Sequence, residues 1–155
     1  MSLRTILTDK LWERLAYLLD RTGRVYNKPE HRNTVEGILY RIRTGCPWRD
    51  LPAEFGLWNT VYRCFNLWSK KGIWQKVLKF FRQCIDSEWI FIDGSIVKAH
   101  QHAMGAYRYR HLVENAFALL KQYRAIATRY DKLARNYASS LAFTCCIRWA
   151  RLIFG

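Results

Sequence analysis

Apolar residues recur at helical spacing through the first half of the chain. Leu11, Leu15, Leu18 and Leu19, with Trp12, form a stripe behind the start signal Thr8-Asp9, so a first helix opens there. The stretch Arg21 to Arg32 contains Gly23, Pro29 and several charges and reads as a loop. Asn33-Thr-Val-Glu36 has the form of a capping box, predicting a second helix over about Thr34 to Arg43 that buries Val35, Ile38, Leu39 and Ile42. Gly45 ends it and Pro47 prevents its return. The rigid words Cys46 to Pro52 follow, with Trp48 expected to be pinned into the core. A third helix is expected from about Asn59 to Lys71, with Val61, Cys64, Phe65 and Trp68 inward and Arg63, Asn66, Lys70 and Lys71 outward. Gly72 breaks it, and a fourth helix from about Trp74 to Ile85 buries Trp74, Val77, Leu78 and Phe81.

The pattern then changes. Trp89-Ile-Phe-Ile is apolar and β-rich, and it delivers Asp93-Gly94 at its end, as a buried strand would. Ser95 to His102 reads as a second strand. From Tyr107 to Lys121 the period is helical again, continuing toward Arg129, with Leu112, Leu119 and Leu120 facing a core. Asp131 is placed to cap a final helix on which Leu133, Tyr137, Leu141 and Cys145 share a face, beside Ala134, Ala138 and Ala142. The expected fold is mainly α, with a helical domain over 1–87 and a second unit over 88–155.

Composition narrows the function. Half of the 155 residues are hydrophobic, enough for one real core, and 26 Lys/Arg against 12 Asp/Glu give a net charge of +14. Such an excess calls for a polyanionic partner, nucleic acid ahead of a membrane surface. Five cysteines, odd in number and without Cys-x-x-Cys spacing, indicate neither a disulfide framework nor a zinc site. A reducing cytoplasm is the expected compartment, with association to the nucleoid. No signal peptide opens the chain, and Arg148 and Arg151 interrupt the last apolar run, which makes it a poor membrane span.

Two sets of residues carry candidate chemistry. Tyr107, Arg110, Glu114 and Lys121 follow one another at steps of three, four and seven, which keeps them on one stripe of a helix. A carboxylate there can hold a hard cation, and the basic neighbours can hold phosphate oxygens. The bland reading is a solvated i,i+4 pair, Arg110 with Glu114. The second set faces outward from helix three: Arg63 and Asn66 for bases or phosphates, with Arg49, Lys70 and Lys71 on backbone phosphates. Helices two and three would dock as a helix-turn-helix-like pair, although their connection is longer than the usual tight turn. Here the bland reading is the solvated side of an amphipathic helix.

Tyr107-x2-Arg110-x3-Glu114-x6-Lys121 resembles the Tyr-Arg-Glu-Lys signature of DDE-type transposases of bacterial insertion sequences, in the group named for insertion sequence five. Arg41 to Pro52, the run Trp58 to Phe65 with Trp68, and Ile126 to Ala134 resemble the same family in the same order. The resemblance implies an RNase H-like fold for the second unit, with Asp93 as the first catalytic acid and Glu114 as the third. It also implies Mg²⁺ held by these carboxylates, with DNA of the element's terminal repeats as substrate. Partners would be that DNA, and either a second copy or a full-length transposase.

One part of that machinery is missing. Two-metal chemistry of this type uses three carboxylates about two ions roughly 4 Å apart. From Gly94 to Val113 there is no Asp or Glu, so the middle acid is absent, and the chain resembles a transposase deleted internally near residues 104–107. The expected protein is a truncated family member that binds DNA without cutting it. The alternative is a regulator that occupies element ends or pairs with full-length transposase. The least favoured reading is an unrelated metal-dependent nuclease.

Overall fold

The computed structural model describes residues 7–23, 25, 28–84, 89–92, 95–98, 114–115 and 117–154. It is mainly helical, as expected. Helix α1 (Asp9–Arg21) starts where Thr8 Oγ1 accepts the Leu11 N–H at 3.3 Å, and it buries Leu11, Leu15 and Leu19. Helix α2 (His31–Thr44) buries Val35, Ile38, Leu39 and Ile42 and ends on Gly45, whose φ of 70° suits a residue without a Cβ. The expected capping box does not form. The helix begins before Asn33, and Glu36 is buried, its Oε1 accepting the backbone N–H of Leu7 at 2.7 Å. A carboxylate required by a distant backbone donor cannot also close its own helix end.

Two 3-10 turns, Trp48–Asp50 and Ala53–Phe55, link α2 to α3 (Trp58–Lys71). Trp48 lies half-buried between the Arg41 guanidinium, 4.9 Å from its ring centroid, and the Phe65 ring at 5.2 Å. Helix α3 buries Val61, Phe65 and Trp68, and Gly72 closes it with a φ of 61°. Helix α4 (Ile73–Cys84) follows at once, with Ile73, Trp74, Val77 and Phe81 inward. Strands β1 (Trp89–Ile92) and β2 (Ser95–Lys98) pair antiparallel, Ile92 opposite Ser95. The further stretch of the second strand, to His102, lies outside the described residues.

The C-terminal third departs from expectation in three ways. First, the helix through Glu114 and Lys121 does not continue to Arg129. Residues 117–121 are helical and the chain turns at 122–123, where Tyr123 goes into the core. The short helix α5 (Arg124–Ala127) then lies against α2.

Second, Asp131 caps no helix. Helix α6 (Ala134–Phe154) starts beyond it, and the Asp131 carboxylate is buried, accepting from Arg41 Nη1 at 3.1 Å and from Ser140 Oγ at 3.0 Å. Third, α6 turns a different stripe inward. Leu133, Ala134 and Ala138 are exposed, and Tyr137, Leu141 and Cys145 are half-buried. The buried side is Asn136, Ser139, Ser140, Phe143, Ile147 and Ala150, with Ala142, Thr144 and Cys146 beside it. Small residues let the helix come close to its neighbours, and Phe143 meets Trp74 edge-on, with centroids 4.4 Å apart. The Thr144 hydroxyl donates to the Ser140 carbonyl at 2.9 Å and the Ser140 hydroxyl to the Asp131 carboxylate, whereas Ser139 Oγ and Asn136 Oδ1 are buried without a hydrogen-bond partner among the described residues.

Among the described residues, Leu15, Ile38, Phe65, Trp74 and Phe143, which stand on both sides of the boundary read near residue 87, belong to the same buried cluster.

Candidate nucleic-acid interface

Burying Val61, Phe65 and Trp68 fixes what α3 shows to solvent. At 100° per residue the opposite stripe is Asn59, Thr60, Arg63, Leu67 and Lys70, and these five are exposed. Helix α3 contains no Asp or Glu, so the stripe presents amide, hydroxyl, guanidinium, isobutyl and ammonium groups with no competing carboxylate on the helix. Its 14 residues span roughly 21 Å at the α-helical rise, and a helix of this kind fits a major groove about 12 Å wide.

Cations stand along the whole length of the helix. Arg49 is exposed on the first 3-10 turn, its guanidinium 5.9 Å from the Trp58 ring centroid at the start of α3. Arg63 is exposed in the middle. Lys70, exposed, and Lys71, half-buried, occupy the last turn, where positive charge also complements the helix dipole. Asn66 lies at one edge, half-buried, its Oδ1 accepting from Arg135 Nη2 at 3.5 Å. Near the opposite edge, Lys28 acts on Cys64. Burial pushes the Cys64 thiol up to about 12, and the Lys28 charge opposes the shift. His31, its ring edge-on to Trp68 at 5.3 Å, is lowered by burial and then by Lys28.

The structure thus brings Arg49, Arg63, Asn66, Lys70 and Lys71 onto or beside one helix. It adds Asn59, Thr60 and Leu67, which the sequence reading did not single out. The signal was present: these positions stand opposite Val61, Phe65 and Trp68 on the helical wheel. Arg135 carried no such signal, because it lies 69 residues from Asn66.

The set Tyr107, Arg110, Glu114 and Lys121 falls only in part within the described residues. Glu114 and Lys121 are exposed on helical residues. Asp93, Tyr107 and Arg110, and with them the Asp93–Glu114 metal pair, lie outside the described residues. No group of three or more His, Cys, Asp or Glu suited to a metal occurs among the described residues. Among these residues, no helix is long and apolar enough to cross a membrane.

The match to a known family falls in the α1–α4 region. Residues 7–78 match the family described as "Putative transposase of IS4/5 family". The chain is 35% identical over 104 residues to the uncharacterized protein y4sN of Sinorhizobium fredii, covering 66% of this chain and 83% of that one. It is 32% identical over 121 residues to an uncharacterized 16.2 kDa protein of insertion element IS402 from Burkholderia cepacia, covering 63% and 81% respectively. No solved structure gives a significant match. The matched segment 7–78 contains Arg49, Arg63, Asn66, Lys70 and Lys71.

Proposed function

The chain belongs to the family of transposase-related proteins of insertion elements, and from that premise we propose that it binds the element's DNA through α3 without cutting it. The observation that carries the reading is the solvent stripe of α3, which carries Arg63 and Lys70, has Arg49 beside its start and is free of carboxylates. In a groove, Asn59, Thr60 and Arg63 near the start of the helix would meet base edges, and Leu67 would suit a thymine methyl group. Arg49, Lys70 and Lys71 would sit on phosphates and set the register, with Asn66 at the flank. The α2–α3 pair then works as a helix-turn-helix-like unit, with two 3-10 turns lengthening its connection. The terminal repeats of the element are the expected DNA, and the nucleoid the expected location.

Catalysis is absent in this reading. The Tyr107-Arg110-Glu114-Lys121 spacing and Asp93 mark descent from an RNase H-like DDE domain. With no acid between Gly94 and Val113, Asp93 and Glu114 supply two of three carboxylates, which is an incomplete set for a Mg²⁺ pair. No strand-transfer step follows from such a site.

A regulatory role is the second reading, in which the protein occupies element ends or pairs with a full-length transposase or a second copy of itself. One fact favours it: the IS402 relative is itself a small protein of an insertion element, 16.2 kDa beside the 18.5 kDa of this chain.

The deciding experiment measures binding and nicking on labelled duplexes from the ends of the element, with Mg²⁺ and with EDTA, over a salt series. Specific binding equal in both, with no nicking, is the expected result. Mg²⁺-dependent nicking abolished by both Asp93→Asn and Glu114→Gln would overturn the inactive reading. Failure of Arg63→Gln/Lys70→Gln to weaken binding would overturn the placement on α3.

A further inference from the structure

Residues 121–135 carry Lys121, Arg124, Arg129, Lys132 and Arg135, all exposed. Their one acid is Asp131, whose side chain is 5% exposed and paired with Arg41. The segment therefore shows solvent five positive charges and no negative one. Ordinary solvated surfaces mix both signs, because like charges repel. Burying the single carboxylate removes the counter-charge from the outside of this segment.

Its position matters as much as its sign. The Arg135 guanidinium donates to Asn66, so it lies along the edge of the α3 stripe between Arg63, three residues before Asn66, and Lys70, four after. Lys132 precedes Arg135 by three residues and is likewise exposed. Arg129 adopts a φ of 47°, a left-handed backbone that favours Gly or Asn, and its guanidinium lies over the Tyr137 ring at 5.3 Å. Tyr130 is 52% exposed between Arg129 and Lys132, adding an aromatic face to the row.

We infer that Lys132 and Arg135, backed by Arg129, form a second phosphate-contacting row beside α3, so the DNA-binding unit includes the segment that leads into α6. The inference rests on DNA binding by α3 and deepens it. The ligand is the sugar-phosphate backbone of a duplex whose groove α3 occupies, and these cations add affinity without base preference.

The test compares three full-length variants that each remove two charges: Lys132→Gln/Arg135→Gln, Arg63→Gln/Lys70→Gln, and a control on α1 and α4, Lys10→Gln/Lys79→Gln. Kd on one duplex and the slope of log K against log salt are read for each, with Tm as the check on folding. Lys132→Gln/Arg135→Gln should weaken binding at least about tenfold and flatten the slope by roughly 1 to 2, against less than about twofold for the control. Arg135→Lys keeps the charge and should keep the wild-type slope, which separates loss of a phosphate contact from loss of structure. If Lys132→Gln/Arg135→Gln behaves as the control while Arg63→Gln/Lys70→Gln weakens binding, the second row is wrong and the α3 interface stands. If the wild-type chain binds no duplex, the α3 reading itself falls.

Discussion

Cys64 shows how far a single group can be moved by its place in the fold. Its thiol rises from the ordinary 9.0 to about 12, first because burial disfavours the thiolate. Cys145 and Cys146 move the same way, also chiefly by burial. A folded value above the unfolded one means that the stabilising contribution is complete below pH 9 and is lost as pH climbs toward 12. The urea midpoint should therefore stay level to about pH 9 and fall above it, less steeply in Cys64→Ala; a midpoint that rises there would contradict the assignment. Gly45 makes the matching backbone case. At φ 70°, an added Cβ would stand 2.9 Å from the Tyr130 ring and 3.1 Å from Arg124 Cβ. Gly45→Ala should cost about 1–3 kcal/mol by urea denaturation, from strain and overpacking together. That Gly45 and Gly72 end helices was legible in the sequence, since the need for a left-handed residue is local. The partner of Glu36 was not, because Leu7 lies 29 residues away.

At the scale of elements, the chain before α6 is held by a buried ion pair and not by a cap. Arg41 and Asp131 are each 5% exposed, 3.1 Å apart, with Ser140 donating to the same carboxylate oxygen. Removing one partner strands a charge in the interior, so Asp131→Ala should lose roughly 3–5 kcal/mol. The double variant Arg41→Met/Asp131→Leu should lose clearly less than that single change, because neither charge is left behind. A double-mutant cycle in urea checks both statements, and a single-variant loss under about 1 kcal/mol would refute the role given to the pair. The existence and the buried faces of α1 to α4 followed from stripes with a polar opposite face, although α2 starts at His31 and not near Thr34. In α6 the apolar and small residues spread around the helix, so its period did not say which side Phe143 and Ile147 would take; the neighbouring Trp74 decided it.

At the scale of the whole molecule, Trp74 joins the parts. Its ring meets Trp68 of α3 at 5.8 Å and Phe143 of α6 at 4.4 Å, and it is fully buried. Trp74→Ala should lose about 3–5 kcal/mol and carry DNA binding down with it. Arg63→Gln/Lys70→Gln should leave stability within about 0.5 kcal/mol per site while weakening binding. Thermal melts beside binding curves distinguish the two, and a large Tm loss in the α3 variant would mean that its cations serve the fold.

The existence of the first four helices, the glycine ends of α2 and α3, the basic outer side of α3 and the absence of an acid between Gly94 and Val113 are all legible in the sequence alone. Each of these depends on residues a few positions apart, or on simple composition, and so can be read along the chain. Only the tertiary structure decided that α5 and α6 complete the first core, that Asp131 is buried against Arg41, and that Arg135 reaches the edge of α3. Those facts depend on residues 69 to 90 positions apart meeting in space, and no local period encodes which of many distant partners a side chain will find.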